Sequence, residues 1–147
     1  MKRNFTGLLL VLMFMLSACA MTRNDEVRVA DYPITHKAFD ITFGLKTSIS
    51  TTGITVEGYA RNNRYFLVSN LELLVMLVDR SGKEKAVESF FFLPLELPMD
   101  DYAPFTLELK ARPEPGDLLR FVYRYVGMNG RDGDISWMSS FDLPPEK

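Results

Sequence analysis

Apolar and polar residues alternate in short runs along most of this chain, and that two-residue period limits the fold more than any other feature. The clearest run places Phe105, Leu107 and Leu109 on one side of an extended segment, with Thr106 and Glu108 on the other. Successive side chains of a β-strand point to opposite faces. Such a run therefore predicts a strand that buries one face.

Segments of this kind recur, and turn residues such as those of "DRSGK" (79–83) and "PEPGD" (113–117) separate them. The predicted strands cover residues 39–46, 54–60, 68–78, 86–93, 105–110, 119–125 and 135–141. About seven short strands with turns between them are typical of an antiparallel sandwich of immunoglobulin or fibronectin type. The sequence therefore predicts an all-β domain over residues 39–143, with a short tail at 144–147.

The long strand at 68–78 is apolar on both faces. Its odd-numbered residues are assigned to the core, and they are Leu71, Leu73, Val75 and Leu77. The opposite face then carries Leu74, Met76 and Val78. Either a neighbouring segment covers this second face, or it is a contact surface for a partner. These three residues are the candidate partner contact.

The N-terminus has the layout of an export signal. Lys2 and Arg3 precede the run "GLLLVLMFMLSACA" at residues 7–20. The apolar stretch is shorter than the roughly 20 residues that cross a bilayer. A basic start, a short apolar core and small residues after it predict a signal peptide over residues 1–18.

The end of this signal, "LSAC" from Leu16 to Cys19, resembles the lipobox of bacterial lipoproteins. In that family the cysteine thiol receives a diacylglyceryl group, the signal is removed before the cysteine, and the new amino group is acylated. The resemblance implies a palmitate-type lipid on Cys19 and a tether over residues 19–38. The lipid would bind the protein to a membrane. Ala20, where inner-membrane lipoproteins tend to carry Asp, favours the outer membrane, with the domain facing the periplasm. The alternative is an ordinary secretory signal with an incidental cysteine.

Charge and cysteine content exclude several classes of function. The net charge is −2, and the signal contributes two of the positive charges. Nothing resembles the clustered basic face of a nucleic-acid-binding protein. Arg61 and Arg64 form the one basic pair of note, either solvated or an anion site. Because Cys19 is the single cysteine, we expect no disulfide and no thiolate metal site in the domain.

A second resemblance covers residues 54–110. "ITVEGYARNN" followed by "VSNLELLVMLVDRSGK" is similar to small bacterial immunoglobulin-like domains of the FxLYD type. The matching positions are Gly58, Asn62 or Asn63, Asp79 and Gly82, while Val78 replaces the expected aromatic residue. The resemblance implies an exported immunoglobulin-like domain and supplies no catalytic residues.

Residues for catalysis are sparse, and we expect neither an enzyme nor a cofactor. The single histidine, His36, falls in the predicted tether and is expected to be solvated. Asp100 and Asp101 are adjacent, so an extended chain would direct them apart. No hydrolase nucleophile has an evident base.

Two further features each have two interpretations. Oxygen ligands in the loop 127–134, namely Asn129, Asp132 and Asp134, suggest a calcium site, but a hairpin loop with Gly130 and Gly133 explains them better, and we expect no metal site. Four aromatic residues are either a ligand platform or core: Tyr59, Tyr123, Tyr125 and Trp137.

The sequence thus favours a lipid-anchored, non-catalytic envelope protein that binds an unidentified envelope protein. The alternative is an envelope enzyme or a calcium-dependent binder that uses the loop 127–134.

Overall fold

The computed structural model describes residues 27–130 and 133–145 of the chain. These residues form nine β-strands and a short 3-10 helix at Val29–Asp31. The strands are β1 (Ile34–Lys37), β2 (Ile41–Ile49), β3 (Ile54–Asn62), β4 (Leu67–Val78), β5 (Glu84–Phe91), β6 (Glu96–Leu97), β7 (Tyr102–Leu109), β8 (Leu118–Met128) and β9 (Asp134–Leu143). The predicted signal peptide and Cys19 lie outside the described residues and stay predictions.

The strands form two antiparallel sheets that pack face to face. The first sheet is 4-stranded with the order β1-β2-β3-β7. The second is 5-stranded with the order β5-β4-β8-β9, and β6 also pairs with β4. The predicted all-β, immunoglobulin-like sandwich is confirmed. All seven predicted strands are present, and the short strands β1 and β6 are additions.

The inner faces of the two sheets carry the core, and the alternation read from the sequence places most of it correctly. Leu71, Leu73, Val75 and Leu77 are at most 3% exposed. Across the second sheet, the ring of Phe121 stacks on that of Phe141 at a centroid separation of 4.8 Å. Each fully buried aliphatic or aromatic side chain of this kind contributes about 1.5–3 kcal/mol. The burial of these inner-face side chains therefore stabilises the sandwich.

The sandwich begins earlier than predicted. β1, which falls in the predicted tether, pairs with β2 through the register Ile34↔Leu45 to Lys37↔Thr42. His36 therefore points into the sandwich and is half-buried, and its ring stacks on Phe141 with 3.7 Å between centroids. The prediction of a solvated His36 is wrong, because four residues before the first predicted strand complete the edge of its sheet.

The turn between β1 and β2 also inverts two predicted positions. The alternation over residues 39–46 predicts Phe39 on the core face and Asp40 on the solvent face, but Phe39 is 59% exposed and Asp40 is completely buried. The ladder of β2 starts only at Ile41. The two residues before it belong to a turn, to which the strand period does not apply.

Positions that carry the resemblance to the FxLYD type have evident structural roles. A Cβ at Gly58 would lie 2.4 Å from the carbonyl oxygen of Gly44, so only glycine fits there. Asn62 is completely buried and its side-chain amide donates to the carbonyls of Phe66 and Leu97, at 2.9 and 3.0 Å. Gly58 allows β2 and β3 to approach closely, and Asn62 fixes the end of β3, where the chain turns toward β4.

Candidate functional site

A groove of about 560 Å³ crosses the outer face of the second sheet near the start of β9. Its apolar wall comes from strands or connections that are distant in sequence: Leu71, Phe91, Leu95, Val126 and Met138. Three of these side chains are more than half exposed, at 63% for Phe91, 54% for Leu95 and 71% for Met138. Large exposed apolar side chains that share one concavity are characteristic of a binding surface.

A bulge in β4 shapes this groove. The register between β4 and β8 shifts between Ser69 and Glu72, which leaves Asn70 and Leu71 outside the regular ladder. Asn70 has a φ of 52°, a value that asparagine tolerates better than most residues. Its backbone N–H donates to the carbonyl of Leu95 at 2.8 Å. The bulge thus fixes the β5–β6 connection, and with it Leu95, beside the sheet.

One ion pair lies in the groove. Arg124 donates from Nε to the carboxylate of Glu72. The two side chains differ in accessibility, since that of Glu72 is 15% exposed and that of Arg124 is 67% exposed. The groove therefore presents a guanidinium, and not a carboxylate, to whatever approaches it.

A second, smaller pocket of about 210 Å³ lies on the other side of β9, at the open end of the sandwich. The guanidinium carbon of Arg64 lies 5.4–5.7 Å from the ring centroids of Phe39, Tyr65 and Phe66. Within residues 27–130 and 133–145 no carboxylate pairs with Arg64. Arg61, by contrast, donates from Nη2 to Asp100 at 2.6 Å. The two predicted basic residues therefore differ in one respect: Arg61 has an ion pair as well as a ring, Tyr102, at 5.6 Å, whereas Arg64 is surrounded by aromatic rings.

The predicted contact residues of β4 lie on the outer face of the second sheet, beside the groove and not in its lining. Leu74 and Met76 are half-buried, and their role as a partner contact stays a prediction. Val78 is only 3% exposed, so including it in the contact was wrong. A register shift between Leu77 and Val78 interrupts the alternation there and leaves two consecutive residues buried.

The four aromatic residues considered for a ligand platform separate into two groups. Tyr59, Tyr123 and Tyr125 are at most 4% exposed. Tyr59 packs over Gly44 on the outer face of the first sheet, where a Cβ would lie 2.1 Å from its ring. Trp137 is 39% exposed and lines both the groove and the smaller pocket. Only Trp137 is thus available to a ligand.

Asp40 forms a buried polar cluster that the sequence did not indicate. Its two carboxylate oxygens accept hydrogen bonds from Tyr123 Oη at 2.9 Å and Tyr125 Oη at 3.0 Å. Burial, followed by the neighbouring carboxylate, raises the pKa of both phenols above the ordinary value. Burial lowers the pKa of the nearby His36, against a smaller opposing effect of Asp40. The cluster holds the turn before β2 to β8.

The loop 127–134 fits the hairpin interpretation as far as it is described. Gly130 and Gly133 have φ values of 69° and 85°, which glycine adopts without strain. Residues 131 and 132 lie outside the described part, so the complete predicted ligand set is not described. Elsewhere in the described chain no group of three acidic, histidine or cysteine residues is arranged to hold a metal ion. Residues 27–130 and 133–145 also contain no helix that is long and apolar enough to span a membrane.

Together the topology and these surfaces define an immunoglobulin-like β-sandwich protein with exposed apolar sites around one edge. No protein-family model and no curated protein matches the sequence. Among solved structures, the chain is similar to the GAE domain of GGA2p from Saccharomyces cerevisiae, with a TM-score of 0.48, 12% identity, and coverage of 77% of this chain and 98% of that one. It is also similar to a beta-glucuronidase from glycoside hydrolase family 2, with a TM-score of 0.37, 15% identity, and coverage of 73% of this chain and 10% of that one. Likenesses this distant carry no argument about function.

Proposed function

We propose that this protein is a lipid-anchored, non-catalytic component of a bacterial cell envelope, held at the outer membrane and facing the periplasm. Its sandwich binds another envelope protein through the groove between Leu95 and Met138. The observation that carries the proposal is the contiguous exposure of Phe91, Leu95 and Met138 around one accessible cation, Arg124. The matching partner is an apolar segment with an acidic side chain beside it.

The sequence supports the anchor. Several acyl chains on one cysteine hold a domain at a membrane, because each buried CH₂ contributes about 0.8 kcal/mol and a single chain binds only reversibly. The segment from Cys19 to Ile34 reaches at most about 55 Å when fully extended. The groove is therefore confined to a layer close to the bilayer surface, where an envelope protein is the available partner.

Replacing Cys19 by Ser tests the anchor. We expect the variant to incorporate no label from fed palmitate and to leave the membrane fraction, because the thiol that accepts the diacylglyceryl group is gone. The measurement is palmitate labelling with fractionation of intact cells, with the unaltered chain as the control. Membrane association and labelling that persist in Cys19→Ser would contradict the lipoprotein assignment.

A photo-crosslinking amino acid at position 95 of the full-length chain tests the groove. In intact cells we expect a discrete adduct with another protein. The variant Arg124→Glu should reduce that adduct at least about tenfold, because opposing an acidic partner with a like charge costs more than about 1.4 kcal/mol. The adduct is measured by immunoblotting against this chain.

Position 106 supplies the matched control. Thr106 is exposed on the outer face of the first sheet, away from the groove, so the same crosslinker there should give no such adduct. Equal adducts from positions 95 and 106, or an adduct that Arg124→Glu leaves unchanged, would refute groove binding. The result for Cys19 is independent of this one, so the anchor and the binding site are tested separately.

A further inference from the structure

The four edges of the two sheets differ in how they are protected from pairing with another chain. β1 has four residues and ends in Lys37. β7 contains Pro104, which has no N–H to donate. β5 carries Glu84, Lys85 and Glu88. Short length, proline and charge are the usual devices against edge-to-edge pairing. The edges formed by β1, β7 and β5 therefore each have at least one feature that protects against pairing with another chain.

The fourth edge, β9, has almost none of these protective features. It is ten residues long, "DISWMSSFDL", with neither proline nor a basic residue. Its register with β8 runs from Leu119↔Leu143 to Met128↔Asp134 without a shift, so no bulge turns it away. Ile135, Trp137 and Met138 are 55%, 39% and 71% exposed. A long, regular and apolar edge is a template for another strand.

The hydrogen-bonding groups of this edge are available. Within the described residues β9 pairs with β8 alone, and its backbone makes no bond to any turn or loop. In an antiparallel ladder, alternate residues direct N–H and C=O to the partner strand. About half of the residues of β9 therefore direct these groups outward.

The order of side chains in β9 is close to symmetric about Met138. Antiparallel pairing with a second β9 centred there sets Ile135 opposite Phe141, Ser136 opposite Ser140, and Met138 opposite Met138 of the second copy. All of these pairs join residues that lie on the same face of the sheet. Trp137 comes opposite Ser139 of the second copy and is not matched in this way. In the three pairs named, apolar residues meet apolar residues and serines meet serines, which is the self-complementarity that a two-fold interface favours.

The charges at the two ends of the edge are compatible with this pairing. Asp134 comes opposite Asp142 of the second copy. Asp142 is already held by Arg120, whose Nε and Nη2 donate to its two carboxylate oxygens at 2.9 Å each. The carboxylate of Asp134 therefore meets an Asp142 whose charge Arg120 already neutralises, and not an isolated negative charge.

We propose that two copies of this protein pair through β9, antiparallel about Met138, into one continuous sheet with both cores on the same side. This pairing extends the backbone ladder of the second sheet and covers Met138 and Trp137. It does not depend on the lipid anchor. Because Met138 and Trp137 also line the groove, a second copy and the groove partner would compete for these two side chains.

Disulfide trapping with the full-length chain, both unaltered at position 19 and as Cys19→Ser, tests the pairing. In the proposed register Met138→Cys sets two thiols directly opposite each other, with Cα atoms about 4.5–5.5 Å apart, within the range that a disulfide bridges. We expect mild oxidation of detergent-solubilised protein to double its mass on a non-reducing gel. Thr106→Cys and the parent chain are the controls and should stay monomeric.

A charge swap distinguishes a second copy from a foreign strand. Ser136 and Ser140 are exposed and would face each other across the interface, so Ser136→Lys with Ser140→Lys should give a monomer by analytical ultracentrifugation. Ser136→Lys with Ser140→Glu should restore the dimer, because opposite charges then pair. Trapping of Met138→Cys no faster than Thr106→Cys overturns the proposal, as does an adduct with a different protein or failure of the Lys/Glu variant to dimerise.

Discussion

Truncating Leu73 to Ala is expected to lower the free energy of unfolding by about 2–5 kcal/mol. Leu73 is completely buried and lies at the middle of β4, between Phe90 of β5 and Tyr123 of β8. The surrounding strands are held by their ladders and cannot close the space. The cost therefore includes both the lost burial and the cavity. Urea denaturation with a common m-value measures it.

Met76→Lys is the matched control for this prediction. Met76 is on the opposite face of the same strand and half-buried, and a lysine there can extend its ammonium into water while its stem covers the sheet. Its cost should be clearly smaller than that of Leu73→Ala. A Met76→Lys variant that unfolds more readily than Leu73→Ala would show that the two faces of β4 have been exchanged, which a slip of one residue would do.

Replacing Asp40 by Ala is the second change with a large expected effect, a loss of about 2–6 kcal/mol for the two buried donors that it leaves without a partner. It removes both acceptors of the phenols of Tyr123 and Tyr125. A buried donor left without a partner costs about 1–3 kcal/mol. In a background with Tyr123→Phe and Tyr125→Phe, the same Asp40→Ala change should cost less, since no donor is then stranded. Equal costs in the two backgrounds would refute the role given to this cluster.

The same cluster predicts a fall in stability at alkaline pH. The pKa of each phenol is raised in the folded state, so the unfolded chain loses these protons first. Stability is then fully present below the unfolded tyrosine pKa of about 10 and declines as the pH rises above it. The variant with Tyr123→Phe and Tyr125→Phe should show a shallower decline in the urea midpoint between neutral and alkaline pH.

Sequence reasoning succeeded where structure is set locally. The faces of β7 and β8 follow directly from the alternation around Phe105 and Phe121, because side-chain direction in a strand depends only on the two-residue period. The groove could not be foreseen in this way. It needs Asn70 at a positive φ and the contact of its N–H with Leu95, and "SN" within an apolar strand is a weak signal for a bulge.

The sequence by itself determined the all-β class, the core faces of most strands and the candidate lipid anchor at Cys19, which stays a prediction. Tertiary structure decided the burial of Asp40, because its partners, Tyr123 and Tyr125, lie 83 and 85 residues further along the chain. It also placed His36 against Phe141 and left β9 at an edge. Periodicity reports how one strand orients its own side chains, whereas neighbours, edges and grooves arise only when separate strands pack together.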